Sequence, residues 1–149
     1  MFHSLIVDDT PEKMENIRQA VEDASLNAPI ECMESAEQAL QHITAQGREV
    51  VAALFDYTFT RESINGIALI RVLREVNKLC YIALVTSHPQ KSGEFRSRHA
   101  EATIAGADET YSTNIRPYDA FDWLYLSLKE KKEELLRKFG LQEGSLDHS

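Results

Sequence analysis

The sequence is poor in the residues that staple, break or anchor a chain. Two cysteines, Cys32 and Cys80, are too few for a secreted disulfide scaffold of 149 residues. Both sit in apolar stretches and are expected as small buried hydrophobes. Six glycines and four prolines exclude collagenous and low-complexity chains. No apolar run approaches the roughly 20 residues of a membrane-spanning helix. The opening MFHSLIVDDT lacks the positive segment of a secretory leader, so a cytoplasmic protein without membrane attachment is expected. Basic residues are also scarce, with 16 Lys+Arg against 24 Asp+Glu and a formal net charge of −8. A phosphate backbone rewards clustered cations, so nucleic acid is excluded as the expected partner. The five histidines are scattered without ligand spacing, which gives the sequence no zinc signature.

What is present is ordinary globular material, 43% apolar and 27% charged, in a length that suits one domain with a real core. Short apolar runs alternate with longer amphipathic segments. Leu5-Ile6-Val7 reads as a strand ended by Asp8-Asp9. Thr10-Pro11 supplies an N-cap and a first-turn proline, and Met14, Ile17, Ala20, Val21 and Ala24 mark one buried helical face. Ile30 to Glu34 reads as a second strand, and Ser35 with Gln38 as a capping box for a helix to about Ala45.

Val50 to Phe55 and Tyr81 to Val85 are continuously apolar, as strands covered on both faces are. Helices follow over Ile67–Val76 and about Phe95–Ala105, then a short strand near Glu109–Ser112 and a last helix from about Tyr118 to Phe139. Five strand–helix alternations predict an α/β fold, a doubly wound five-stranded parallel sheet.

Ligands of such sheets bind beyond the carboxyl ends of the strands. Those ends carry Asp8-Asp9, Asp56, Thr86-Ser87 and the Arg116-Pro117 step. Three converging carboxylates would raise one another's pKa unless a cation neutralised them. Mg²⁺, which completes its shell with water and phosphate oxygens, suits that donor set. A hydroxyl and a guanidinium nearby suit an oxyanion, so the spacing suggests a Mg²⁺-assisted phosphoryl site with one Asp as nucleophile.

LIVDDT, LFDYT, ALVTS and Arg116-Pro117 together resemble the receiver domain of two-component response regulators, over residues 3–128. The resemblance implies a flavodoxin-like (βα)5 fold, with the domain over residues 1–128 and a helix extension and polar tail over 129–149. It implies Asp56 as phosphoacceptor, Asp9 as a direct Mg²⁺ ligand, Asp8 as a ligand through water, and the Thr58 carbonyl as a further ligand. Thr86 would be the hydroxyl that follows the phosphoryl group, and Tyr111 the switch aromatic. The implied partners are a sensor histidine kinase or histidine phosphotransfer protein and a downstream protein target. The chain would then be a signalling switch and not an enzyme.

Three departures stand out. The stretch DYTFTRESING has no proline and runs longer than usual before Gly66, with Phe59 in the apolar slot. The family's lysine at the end of the fifth strand is missing, since no lysine lies between Lys91 and Lys129. Arg116 or Asn114 takes its place, Arg116 being preferred because it keeps the charge. The segment from Ser87 to Gly106 is also long. These departures support an alternative, a pseudo-receiver that works as an interaction module without phosphorylation. The last helix carries a stripe of Phe121, Leu124, Tyr125 and Leu128 that resumes at Leu135, Leu136 and Phe139. It runs about two turns past what the domain is expected to cover, which makes it a candidate homodimer or partner contact.

Overall fold

A computed structural model describes residues 1–114 and 117–141. The elements are β1 (His3–Val7), α1 (Pro11–Ala24), β2 (Ile30–Met33), α2 (Ala36–Gln46), β3 (Val50–Phe55), α3 (Gly66–Val76), β4 (Tyr81–Thr86), α4 (Gly93–Ala105), β5 (Glu109–Ser112) and α5 (Pro117–Lys138). The strands form one parallel sheet in the order β2-β1-β3-β4-β5. The doubly wound five-stranded expectation is met. The α1–α5 pair covers one face, and α2, α3 and α4 pack in sequence on the other. Every residue of β3 and β4 is buried, which is why their sequences are continuously apolar and not alternating. Among the described residues no helix is long and apolar enough to cross a membrane.

The local signals acted in the expected places but not always through the expected atoms. Thr10 occupies the N-cap of α1 without a side-chain cap bond. Its backbone N–H instead donates to Asp8 Oδ1 at 2.8 Å. At α2 the Ser35 hydroxyl accepts from the Gln38 N–H at 3.3 Å. The larger contribution comes from Glu62, whose carboxylate accepts from Ala36 N–H, Glu37 N–H and the Ser35 hydroxyl, each at 2.9 Å. The long loop after β3 thus caps a neighbouring helix, and these backbone donors hold the Glu62 carboxyl below its ordinary pKa. Cys80 is buried as expected, but Cys32 is exposed. The reason is its place on β2, an edge strand that lacks a neighbour on one side.

The end of α5 also departs from expectation. Leu135, Leu136 and Phe139 are buried within the chain itself. The Phe139 ring meets Phe2 edge-to-face at 5.4 Å, and among the described residues the stripe past Leu128 leaves no large apolar side chain exposed.

Asn77 closes the far end of the sheet. Its side-chain amide donates to the carbonyls of Gly47 and Val50 at 2.9 and 2.7 Å and accepts from the N–H groups of Leu79 and Cys80 at 3.1 and 3.0 Å. Removing it strands four backbone groups, and each buried unsatisfied group costs about 1–3 kcal/mol. Asn77→Ala is expected to lower stability by about 3 kcal/mol or more in urea unfolding, with no change in m-value.

Candidate functional site

The site forms where β1, β3 and β4 end side by side. Asp8 and Asp9 follow β1, and Asp56 follows β3, its N–H bonded to the Val7 carbonyl at 2.9 Å. Phe55 pairs with Leu84, which puts Thr86 two residues further along the adjacent strand. Parallel pairing therefore converts a distance of about fifty residues in sequence into one sheet edge. One carboxylate oxygen from each of Asp8, Asp9 and Asp56 lies within 4.8 Å of the others.

The backbone fixes each carboxylate. Asp8 Oδ1 accepts from Thr10 N–H, Asp9 Oδ2 from Thr60 N–H, and Asp56 Oδ1 from Tyr57 N–H, each at 2.8 Å. Gly66, at the start of α3, donates its N–H to the Tyr57 carbonyl at 2.8 Å. A Cβ at Gly66 would stand 2.0 Å from the Asp56 carbonyl oxygen. Only glycine lets α3 close on the chain that carries Asp56.

Lys13, on the first turn of α1, is the residue the sequence reading missed. Its ammonium donates to Asp56 Oδ1 and to the Val85 carbonyl, both at 2.8 Å, and lies 3.0 Å from Asp8 Oδ2. Its side chain is 11% exposed, so water screens the contacts weakly. A signal did exist: Lys13 continues the Ile17, Val21 and Ala24 face of α1 toward the strand ends. A lysine on a buried stripe needs an acidic partner, and the acids on the buried side of that turn are those of the strand ends.

Of the other expected residues, Thr86 is buried, its Oγ1 accepting a long 3.4 Å bond from His88 N–H. Phe59 is buried and Thr58 exposed. Asn114 is exposed at the end of β5. Arg116 lies outside the described residues. Arg98 of α4, also unforeseen, sits with its guanidinium 3.9 Å from the centre of the Tyr57 ring, linking α4 to the residue after Asp56.

Tyr111 is buried, and its hydroxyl meets that of Tyr81 at 2.8 Å. Burial chiefly pushes its phenol up to about 12 and raises that of Tyr81 as well. A folded-state pKa above the unfolded value of about 10 gives stability that is full below pH 10 and lost as pH rises toward 12. The phenolate absorbance of Tyr111 is expected to appear near pH 12, and Tyr111→Phe is expected to remove one phenol from that part of the titration.

The donor set fits a small divalent cation. Asp8 Oδ2 is buried and has no directed hydrogen bond, although Lys13 Nζ is near. Burial raises the Asp8 carboxyl above its ordinary value, Lys13 opposes that rise and Asp56 adds to it. Three carboxylates and one ammonium leave a local charge of −2, which one divalent ion would neutralise.

No family model matches the sequence, and no curated protein sequence matches it. Solved structures do. One is a CheY-like response regulator receiver domain from Methanospirillum hungatei, 20% identical with a TM-score of 0.62, covering 90% of this chain and 98% of that one. The fold is that of a response regulator receiver domain. The receiver domain of AraT from Geobacillus stearothermophilus agrees, at 22% identity, TM-score 0.67, and coverage of 89% and 96%. A Burkholderia pseudomallei response regulator solved with a phosphorylated aspartic acid, a calcium ion and citrate matches over 100% of this chain and 76% of its own, at 15% identity and TM-score 0.65. Among the described residues, the cation beside Asp56 comes from α1.

Proposed function

We propose that the protein is a phosphorylation-dependent signalling switch in which Asp56 accepts a phosphoryl group from a phosphohistidine of a sensor kinase or phosphotransfer protein. The observation that carries this reading is the Lys13 ammonium on Asp56, inside a pocket where three carboxylate oxygens lie within 4.8 Å. The Burkholderia relative with its phosphorylated aspartic acid and calcium ion supports it. Lys13 and Tyr57 N–H fix Oδ1 and aim the carboxylate. An Asp56 oxygen forms the new P–O bond as the P–N bond breaks, and the bonding pair leaves with the imidazole, which takes a proton from water. Asp8, Asp9, Asp56 and the Thr58 carbonyl would hold Mg²⁺, which spreads the negative charge of the phosphoryl oxygens.

The Lys13 bond to the Val85 carbonyl ties the acceptor to the residue before Thr86. A phosphoryl group that draws Lys13 and the Thr86 hydroxyl toward itself would pull on β4, and Arg98 would carry the change into α4. Trp123 and Leu126 of α5 and Ile104 of α4 are exposed, and exposed apolar side chains of that kind suit output by contact with another protein. In this role the chain is a switch and not a turnover catalyst. Arg116 keeps a supporting role toward the phosphoryl oxygens.

The bridge that Lys13 makes between Asp8 and Asp56 also favours a second reading. An internal ammonium that satisfies the acids permanently would give a pseudo-receiver, an interaction module that is never phosphorylated. Intact mass after incubation with a small-molecule phosphodonor and Mg²⁺ separates the two. One phosphoryl group is expected on the wild type and none on Asp56→Asn. An unmodified wild type at every donor concentration overturns the switch in favour of the pseudo-receiver, and sustained phosphate release over many turnovers indicates a hydrolase.

A further inference from the structure

A second cluster of ligand atoms lies away from the aspartates, at the opposite end of β1. His3 opens β1 and is buried, Glu31 lies on β2, and His42 on α2. Glu31 pairs with Leu5 across the parallel ladder, and its carboxylate comes within 4.8 Å of the His3 ring. α2 brings His42 in beside them. The two imidazoles meet through their Nε2 atoms at 2.7 Å, with ring planes at 77°. Glu31 Oε2 is 3.4 Å from His42 Nε2. One ligand atom from each residue lies within 4.8 Å of the others.

The tautomers follow from the partners. His3 Nδ1 is 2.9 Å from the Met1 carbonyl, which can only accept, so Nδ1 carries the proton and Nε2 presents its lone pair. The metal-free pair is then held by His42 Nε2–H donating to His3 Nε2. A ring nitrogen fixed from behind by a backbone carbonyl is the arrangement that orients metal-bound histidines. Burial chiefly lowers the pKa of His42, which favours the neutral ring.

We propose that His3, Glu31 and His42 form a site for a borderline divalent transition-metal ion, Zn²⁺ above all. Two imidazole nitrogens and one carboxylate oxygen are the donors that Zn²⁺ takes, with solvent in the fourth position. A tetrahedral ion with bonds of about 2.0–2.1 Å holds its ligand atoms roughly 3.3–3.4 Å apart. Glu31 already stands at 3.4 Å from His42, the two ring nitrogens would part by about 0.6 Å from their 2.7 Å contact, and the Glu31 ligand atom lies within 4.8 Å of that of His3. On binding, His42 releases its Nε2 proton to solvent, or shifts it to Nδ1, and each ligand donates a lone pair with no redox step. The half-exposed Glu31 leaves the ion an entry path from solvent. A bound ion would pin α2 to β1 and β2 independently of any chemistry at Asp56.

The test is Zn²⁺ binding by calorimetry on the full chain, with excess Mg²⁺ present as a competitor at the aspartates and Co²⁺ absorbance as the ligand-field reporter. The wild type is expected to bind one Zn²⁺ and to give the intense visible bands of tetrahedral Co²⁺. His42→Gln and Glu31→Gln are each expected to weaken binding by at least about tenfold, while Asp9→Asn leaves it unchanged. Glu31 is a half-exposed side chain whose amide keeps its shape, so Glu31→Gln decides the matter if His42→Gln fails to fold. Wild-type affinity in Glu31→Gln, loss in Asp9→Asn instead, or no Zn²⁺ bound by the wild type would overturn the proposal.

Discussion

Lys13→Met is expected to cut phosphoryl transfer to Asp56 by about a hundredfold at saturating Mg²⁺. Methionine keeps the apolar stem of the side chain and deletes only the ammonium. That ammonium supplies a direct bond to Asp56 Oδ1 at 2.8 Å in a nearly dry pocket. Removing one preorganised donor from such a site typically costs 10²–10³ in rate. Among the described residues the local charge falls from −2 to −3, and Asp8 and Asp56 lose the ammonium that bridges them. Lys13→Arg should recover part of the rate, because the charge returns but its planar fork cannot make the same three contacts. Arg116→Ala is expected to cost less than tenfold. The reverse ranking, with Lys13→Met near wild type and Arg116→Ala inactive, would return the lysine role to the fifth strand.

The same variant also separates the switch from the pseudo-receiver. In a switch, Mg²⁺ raises the melting temperature of the wild type, because binding to the folded state stabilises it by mass action. In a pseudo-receiver the ammonium already fills that role, so the wild type ignores Mg²⁺ and Lys13→Met acquires a Mg²⁺ response.

Gly66→Ala is expected to lower both the stability of the fold and the rate of transfer. Helix propensity alone predicts a gain of about 1 kcal/mol from alanine. Steric contact predicts the opposite, because the new methyl would stand 2.0 Å from the Asp56 carbonyl oxygen and 3.0 Å from Leu84 Cδ1. The first neighbour is backbone directly after β3, tied to β1 through the Asp56 N–H bond to the Val7 carbonyl, and cannot swing away. The start of α3 must move outward, stretching the Gly66 N–H bond to Tyr57 and the Asn65 cap on Ala68. Overpacking of this kind costs about 1–3 kcal/mol, more when backbone is involved, so a net loss of about 3 kcal/mol is expected in urea unfolding.

The same displacement reaches Asp56, and a misplacement of about 1 Å is enough for a hundredfold loss in transfer. Gly93→Ala is the control. It also lies at a helix start, and nothing stands within 4 Å of its Cβ position. Its effect is expected within about 1 kcal/mol of zero, on the stabilising side. Equal outcomes for the two glycines would remove the close approach as the reason for Gly66.

Much of the fold was legible because it rests on short-range signals. Apolar runs of five or six residues between amphipathic segments are a local pattern, and they gave the alternation, the parallel sheet and the acids at the strand ends. Helix starts were legible too, although the atoms that cap them were not. Glu62 reaches α2 across more than twenty residues, and no spacing rule connects it to Ser35. The overhang read into the last helix failed for a similar reason. The cover over Phe139 includes Phe2, which lies more than a hundred residues away.

The sequence by itself determined the layer architecture, the placement of Asp8, Asp9 and Asp56 at neighbouring strand ends, and the absence of a lysine before Pro117. Only the tertiary structure decided what neutralises those acids. Charge neutralisation acts through space, and α1 packs so that its first turn overhangs three strand ends, which lets Lys13 supply the cation from 43 residues before Asp56. The histidines show the same limit. His3 and His42 are 39 residues apart with no ligand spacing, yet a parallel ladder and one helix bring their nitrogens to 2.7 Å. Local chemistry is written in neighbouring residues, whereas a site built from separate elements exists only once the sheet has set their register.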